Sequence, residues 1–234
     1  MIVQYDKSTI DLVHNTTIDL DSECIPLQLG PISNQLDSES PFQNEFISPR
    51  FSFSIEDTFV GIDALEFIKN TDPLRIVIFG DPSSGKTTLL KIIMLSFAKK
   101  CQLDSKSFVP VFVSVSLLTE NYDEDIPFDI QCIRSAGNFK YSVDIEKFLL
   151  KKFEDKKVLL LIDGLDESCT KDAKLWLEEN ILKMDKNFEN SGGIIITSRI
   201  QSQTGKQRIS NFFKISLQNR FSWISVNKNF TIKL

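Results

Sequence analysis

The sequence predicts an α/β protein with a mainly parallel sheet, and three observations carry that prediction. Short apolar runs rich in β-branched residues recur along the chain, as strands buried on both faces require. Segments with apolar residues at helical spacing lie between them. The two kinds alternate, which leads to right-handed crossovers and helices on both faces of one sheet.

The first strand is "RIVIF" (75–79), and "KTTLLKIIMLSFAKK" (86–100) is a helix with lysines at the end that its dipole favours. "FVPVFVSVSL" (108–117) is the second strand, and Pro110 directs it to a sheet edge. "ENYDEDIPFDIQC" (120–132) reads as an acidic, solvated loop. A helix is expected over 142–155, a strand over "KVLLLID" (157–163) and a long helix over 171–188. "GGIIITSR" (192–199) is the fourth strand and "NFFKISL" (211–217) the fifth. Residues 1–50 read as a polar, acidic extension or linker, with eight acids against two bases and three prolines within 31–50. The core is expected over 51–217, and 218–234 as a divergent tail.

With 234 residues, one domain of ordinary size is the default. A net charge of -5 offers no basic field for nucleic acid or an anionic membrane, and neither is expected as a partner. The apolar runs fall far short of a membrane helix, and the N-terminus lacks the pattern of a secretory signal. Cys24, Cys101, Cys132 and Cys169 have no metal-ligand or disulfide-framework spacing, so a reducing, cytoplasmic setting is expected. The single histidine, His14, lies in the polar extension, which disfavours histidine catalysis and zinc chemistry. Cys169 then reads as a filler, because no histidine is at hand to activate it.

Chemistry concentrates in three places. "GDPSSGKT" (80–87) matches the phosphate-loop pattern and sits where that pattern needs to sit, after a buried strand and before a helix. Gly80 and Gly85 permit close backbone approach, and Asp81, Pro82, Ser83 and Ser84 complete a loop whose N–H groups form an anion nest. Lys86 brings a mobile positive charge to terminal phosphates, Thr87 a hydroxyl for Mg²⁺, and Thr88 follows in the helix start that faces the same anion. "KVLLLIDGLDES" (157–168) is the second place. Asp163 ends a buried strand at the edge where ligands of open α/β sheets bind, and can hold Mg²⁺ there. Asp166 and Glu167 follow, placed for one of them to orient or deprotonate water. The plain alternative is a solvated acidic turn. The third place is Thr197-Ser198-Arg199, where a polar group can feel a terminal phosphate and Arg199 can pair with it, or can simply end the strand at the surface.

In this order and spacing, "GDPSSGKTTLL", "LLLIDGLDES" and "IIITSR" resemble the NACHT domain of the STAND class of P-loop NTPases. The resemblance covers about residues 50–217, and Asp163-Gly164-x-Asp166-Glu167 is its most discriminating part. It implies a P-loop three-layer sandwich with a mainly parallel, five-stranded sheet. It also implies a purine nucleotide switch that rests with ADP, exchanges for ATP and assembles into an oligomer in a signalling or defence system. By that likeness Gly80–Thr88 cradle the nucleotide, Thr87 and Asp163 hold Mg²⁺, Asp166 or Glu167 positions water, and Arg199 is the first sensor. "FVGID" (59–63) has Ile62 where relatives carry an arginine near the base, so this segment gives base recognition little support and leaves ATP versus GTP open; ATP is expected ahead of GTP from the resemblance alone. The 35 residues after Arg199 are fewer than a helical lid and winged helix need, and the expectation is a core truncated after the first sensor, with slow hydrolysis or none. The competing expectation is a non-catalytic interaction module pairing with full-length relatives. A small-molecule kinase fits less well, since no segment reads as an acceptor lid.

Overall fold

The segment "VLLLID" is apolar at every position but its last, and its residues divide by parity. Val158, Leu160 and Ile162 enter one apolar cluster, and Leu159 and Leu161 enter another on the opposite face. A strand's period of two produces this division, and burial on both faces follows. The computed structural model describes residues 9–11, 17–19, 28–30, 62–63, 67–68, 70–104, 107–136, 143–189, 191–199 and 222–226.

The described strands are β1 (Thr9–Asp11), β2 (Thr17–Asp19), β3 (Gln28–Gly30), β4 (Ile62–Asp63), β5 (Arg75–Gly80), β6 (Val109–Ser114), β7 (Val158–Asp163), β8 (Gly193–Ser198) and β9 (Ser222–Val226). The helices are α1 (Lys86–Leu103), α2 (Val115–Glu120), α3 (Phe128–Ala136), α4 (Val143–Glu154) and α5 (Lys171–Phe188), with a short 3₁₀ turn at Leu165–Glu167. β1 and β2 form an antiparallel pair. The larger sheet runs β4-β3-β9-β5-β8-β7-β6. From β9 to β6 the neighbours are parallel, whereas β3 is antiparallel to β9 and to β4.

α1 packs Leu89, Leu90 and Ile93 against Ile76, Ile78, Leu161 and Ile195 on one face. On the other, α3, α4 and α5 bury Ile133, Phe153, Leu177 and Ile181 against Val77, Val113, Leu160 and Ile196. The layers are therefore helix, sheet, helix, as the alternation predicts. β6 is an edge strand of the sheet, which accommodates the missing N–H of Pro110.

Two sequence expectations change in detail. The second strand stops at Ser114, and Val115-Ser116-Leu117 open α2 instead of continuing it. The acidic stretch 120–132 is not a loop throughout, because α3 begins at Phe128 and buries Phe128, Cys132 and Ile133. Gln131 fastens the preceding turn, donating to the Asp123 and Ile126 carbonyls at 2.6 and 2.7 Å and accepting from the Asp123 N–H. The strand expected over 211–217 lies outside the described residues, as do residues 31–50; β9, within 218–234, pairs with β5.

Arg75 opens β5 as a buried cation, 2% exposed. Its Nε lies 2.7 Å from Asp185 Oδ1 on α5, itself 1% exposed. The remaining guanidinium N–H groups donate to the carbonyls of Leu74, Gly192, Glu189 and Ser191. Phe188 lies 5.8 Å away across its ring face. One side chain thus closes the turn between α5 and β8 and ties it to the start of β5. Asp185→Ala should lower the unfolding free energy by about 3–5 kcal/mol, because it leaves a buried cation without its counter-charge. Urea denaturation at constant slope measures this, and a loss below ~1 kcal/mol would show that the pair adds little.

Candidate functional site

Strand order places the site. β5 has β8 on one side and β9 on the other, although the chain leaves β5 for β6, three strands away. Such a reversal opens a crevice at the C-terminal edge of the sheet. Three segments meet there: the Gly80–Thr87 loop, the turn after Asp163 and the end of β8.

The loop turns sharply on positive φ at Ser83 (62°) and Gly85 (90°). Gly85 is the N-cap of α1 and supplies no side chain, so the orphan N–H groups of the first turn face the loop unshielded. Lys86 folds over the loop, and its Nζ donates to Gly80 O at 2.8 Å, Asp81 O at 2.7 Å and Ser84 Oγ at 3.3 Å. Burial lowers its pKa from the usual value near 10.5; Arg199 adds to this, while Asp166, Asp163 and Asp81 oppose it. Asp81, Pro82 and Ser83 are exposed at the loop tip, and Thr88 is half-buried in the first turn of α1.

Thr87 Oγ1 donates to Asp163 Oδ2 at 2.8 Å, which joins residues 76 positions apart. The other carboxylate oxygen, Oδ1, accepts from Thr197 Oγ1 at 2.7 Å. Gly164 turns the chain with φ +76°, and its N–H donates to the same Thr197 oxygen at 2.9 Å. A Cβ at Gly164 would lie 2.9 Å from the Glu167 carboxylate.

Asp166 and Glu167 diverge. The Asp166 side chain is 1% exposed, and its Oδ1 accepts from the Arg199 N–H at 2.9 Å and from Ser198 Oγ at 3.4 Å. Glu167, 43% exposed, receives Arg199 Nη2 at 2.7 Å, while Arg199 Nε lies 3.4 Å from Asp166 Oδ2. Arg199 bridges the two carboxylates at the mouth of the crevice. Cys169 is exposed, with its N–H on Thr119 Oγ1 and its Sγ 3.5 Å from Ser116 O, so it fastens the acidic turn to α2.

The structure therefore gathers Lys86, Thr87, Asp163, Asp166, Glu167 and Arg199 at one edge. A hydroxyl and a carboxylate 2.8 Å apart are hard oxygen donors, and two such groups suit Mg²⁺, which keeps most of its waters. Among the described residues no cluster of three or more His, Cys, Asp or Glu side chains is placed to hold a metal. No described helix is long and apolar enough to cross a membrane. Sequence reasoning placed Thr197 near a terminal phosphate and missed its bonds to Asp163 and Gly164, which depend on strand register.

A parallel α/β sheet with a glycine-turned phosphate loop and a strand-end aspartate joined to its threonine defines a P-loop NTPase-like domain. The NACHT domain profile matches residues 74–223, and the chain belongs to that family. No curated protein sequence matches. Among solved structures, AMPPCP-bound DnaA from Aquifex aeolicus is 16% identical with a TM-score of 0.40, the match covering 70% of this chain and 43% of that one. The DnaC helicase loader is 18% identical at 0.38, covering 69% and 85%. Domain III of the replication initiation protein DnaA from Thermotoga maritima is 16% identical at 0.43, covering 70% and 59%. This chain thus spans under half the length of the Aquifex protein.

The lowered pKa of Lys86 has a definite sign. Protonated Lys86 weakens the fold at pH below its folded pKa, and that penalty falls away as pH rises toward 10.5. In reductive methylation followed by peptide mass spectrometry, the pH midpoint for Lys86 should lie lower in the folded chain than in guanidinium. An equal or higher folded midpoint would contradict the burial argument.

Proposed function

We propose that this NACHT domain binds a purine nucleotide with Mg²⁺ and acts as a switch core, with slow turnover or none. The observation that carries the reading is the 2.8 Å bond between Thr87 and Asp163, which brings the phosphate loop and the metal-binding strand end to one point. Lys86, now on the carbonyls of Gly80 and Asp81, is the group to transfer onto β- and γ-phosphates. Residues Gly80–Thr88 would hold the phosphates, and Thr87 and Asp163 the metal. When bound, Mg²⁺ neutralises charge on the phosphate oxygens.

Slow turnover follows from the pairing of Arg199. Its charge is spent on Asp166 and Glu167, and both carboxylates are engaged with it instead of aimed at water. A terminal phosphate competes for the same guanidinium. Once Arg199 swings to it, Glu167, the more exposed carboxylate, is freed to orient water. Asp166 stays enclosed and anchors the β8 end through the Arg199 N–H. In this reading the triphosphate exchanges one ion pair for another, and that exchange is the signal. A resting ADP form, assembly into an oligomer and a signalling role rest on the family resemblance. ATP is placed ahead of GTP on the same basis.

Isothermal titration with ATP, ADP and GTP in Mg²⁺ tests the reading. The expected result is binding of ATP and ADP, tighter than GTP, with Lys86→Ala weakening it at least tenfold. Turnover of ATP should be well below once per second, and Glu167→Gln should reduce it further without loss of binding. Absence of binding by every nucleotide would contradict the switch and favour the interaction module.

A further inference from the structure

We infer that Thr197 is a positioning residue for the metal site: it orients the Asp163 carboxylate so that one oxygen is reserved for the cation beside Thr87. The inference rests on the nucleotide and Mg²⁺ reading above and concerns a residue outside the phosphate loop and the acidic turn.

The geometry restricts what Thr197 can do. It is fully buried on β8, so its hydroxyl does not reach out to a ligand in the crevice. A threonine hydroxyl has one proton and two lone pairs. The Gly164 N–H donates into that oxygen at 2.9 Å, and the hydroxyl proton is directed to Asp163 Oδ1 at 2.7 Å. The β-branched side chain on a strand has few χ1 options, so the hydroxyl is held where it is. Asp163 therefore spends Oδ1 inside the protein and presents Oδ2 to Thr87. Lys86 is near enough to feel the Asp163 charge, yet its ammonium donates to Gly80 O, Asp81 O and Ser84 Oγ. Ser198 and Arg199 bond to Asp166 instead, so the two neighbours of Thr197 serve a different carboxylate. Hydrogen-bond partners behind a metal ligand fix its orientation, and their loss typically weakens metal affinity about 10–100-fold.

The consequence separates metal affinity from nucleotide affinity. Binding of AMPPNP to the full chain is measured in EDTA and across a Mg²⁺ titration, for the natural chain and for Thr197→Val, Thr197→Ala and Thr197→Ser. The Val and Ala variants lose the hydroxyl, and Ser keeps it. The expected result is AMPPNP affinity in EDTA within about twofold of the natural chain for all. The Mg²⁺ midpoint should rise at least tenfold for Val and Ala and return to near the natural value for Ser. An unchanged Mg²⁺ midpoint in folded Val or Ala variants overturns the inference and leaves nucleotide binding standing. A parallel loss in EDTA and in Mg²⁺ that Ser does not restore, or failure of both Val and Ala variants to fold, assigns Thr197 a purely structural role and also overturns it. No AMPPNP binding by the natural chain under either condition removes the nucleotide reading itself, and this inference with it.

Discussion

The Asp163 carboxylate is the point on which the site depends. It ends a strand whose other five residues are buried, and its two oxygens bind threonines from two other elements. A partly buried polar group costs less free energy when hydrogen-bond partners meet it. Thr87 and Thr197 provide those partners, and in doing so they fasten the first turn of α1 and the end of β8 to β7. Withdrawal of either hydroxyl would leave a charge with one side unmet. The same need for donors that orders the protein makes the residue a good cation ligand, because a cation can take the place of the Thr87 proton.

A second clamp works at the opposite end of the sheet. Arg75 and Asp185 join the first residue of β5 to the end of α5, and the carbonyls around the turn into β8 complete the arginine's bonds. β5 and β8 are thus tied to their neighbours at both edges, with an apolar interior between. The loop, the acidic turn and the Arg199 bridge sit on this frame at the edge where the strand order reverses. The frame is buried and ion-paired beneath the site. The side chains at the crevice mouth, Lys86, Glu167 and Arg199, are long and only partly enclosed, which suits groups that exchange one partner for another.

Much of this was legible in the residues, and the reason is locality. Strands β5, β7 and β8 were readable because burial on both faces leaves a continuous apolar run. The phosphate loop was readable because a tight anion nest needs glycines at a set spacing. The long helix α5 is readable as a helix over 171–188, and in the structure Thr170 caps its start by accepting from the Ala173 N–H. What escaped depends on register and tertiary packing. Nothing near Thr197 in the chain reveals that it stands beside Asp163, 34 positions earlier. The burial of Arg75 was hidden because its partner lies 110 positions away. Helix α3 reads as loop in the sequence because its acidic approach outweighs the few apolar residues it buries. The place of β9 beside β5 is not visible in the sequence, where 218–234 reads as a divergent tail.

The central claim is that this edge holds a nucleotide through Lys86 and the Asp163 metal site, and thermal unfolding of the full chain tests it most directly. At a nucleotide concentration ~100 times its dissociation constant, binding adds about 2.7 kcal/mol. For a chain of this size the midpoint should rise by roughly 5–10 °C with Mg-ATP or Mg-ADP, and Lys86→Ala should abolish the rise. A cooperative transition that neither nucleotide moves, or a rise that Lys86→Ala leaves intact, would contradict the account.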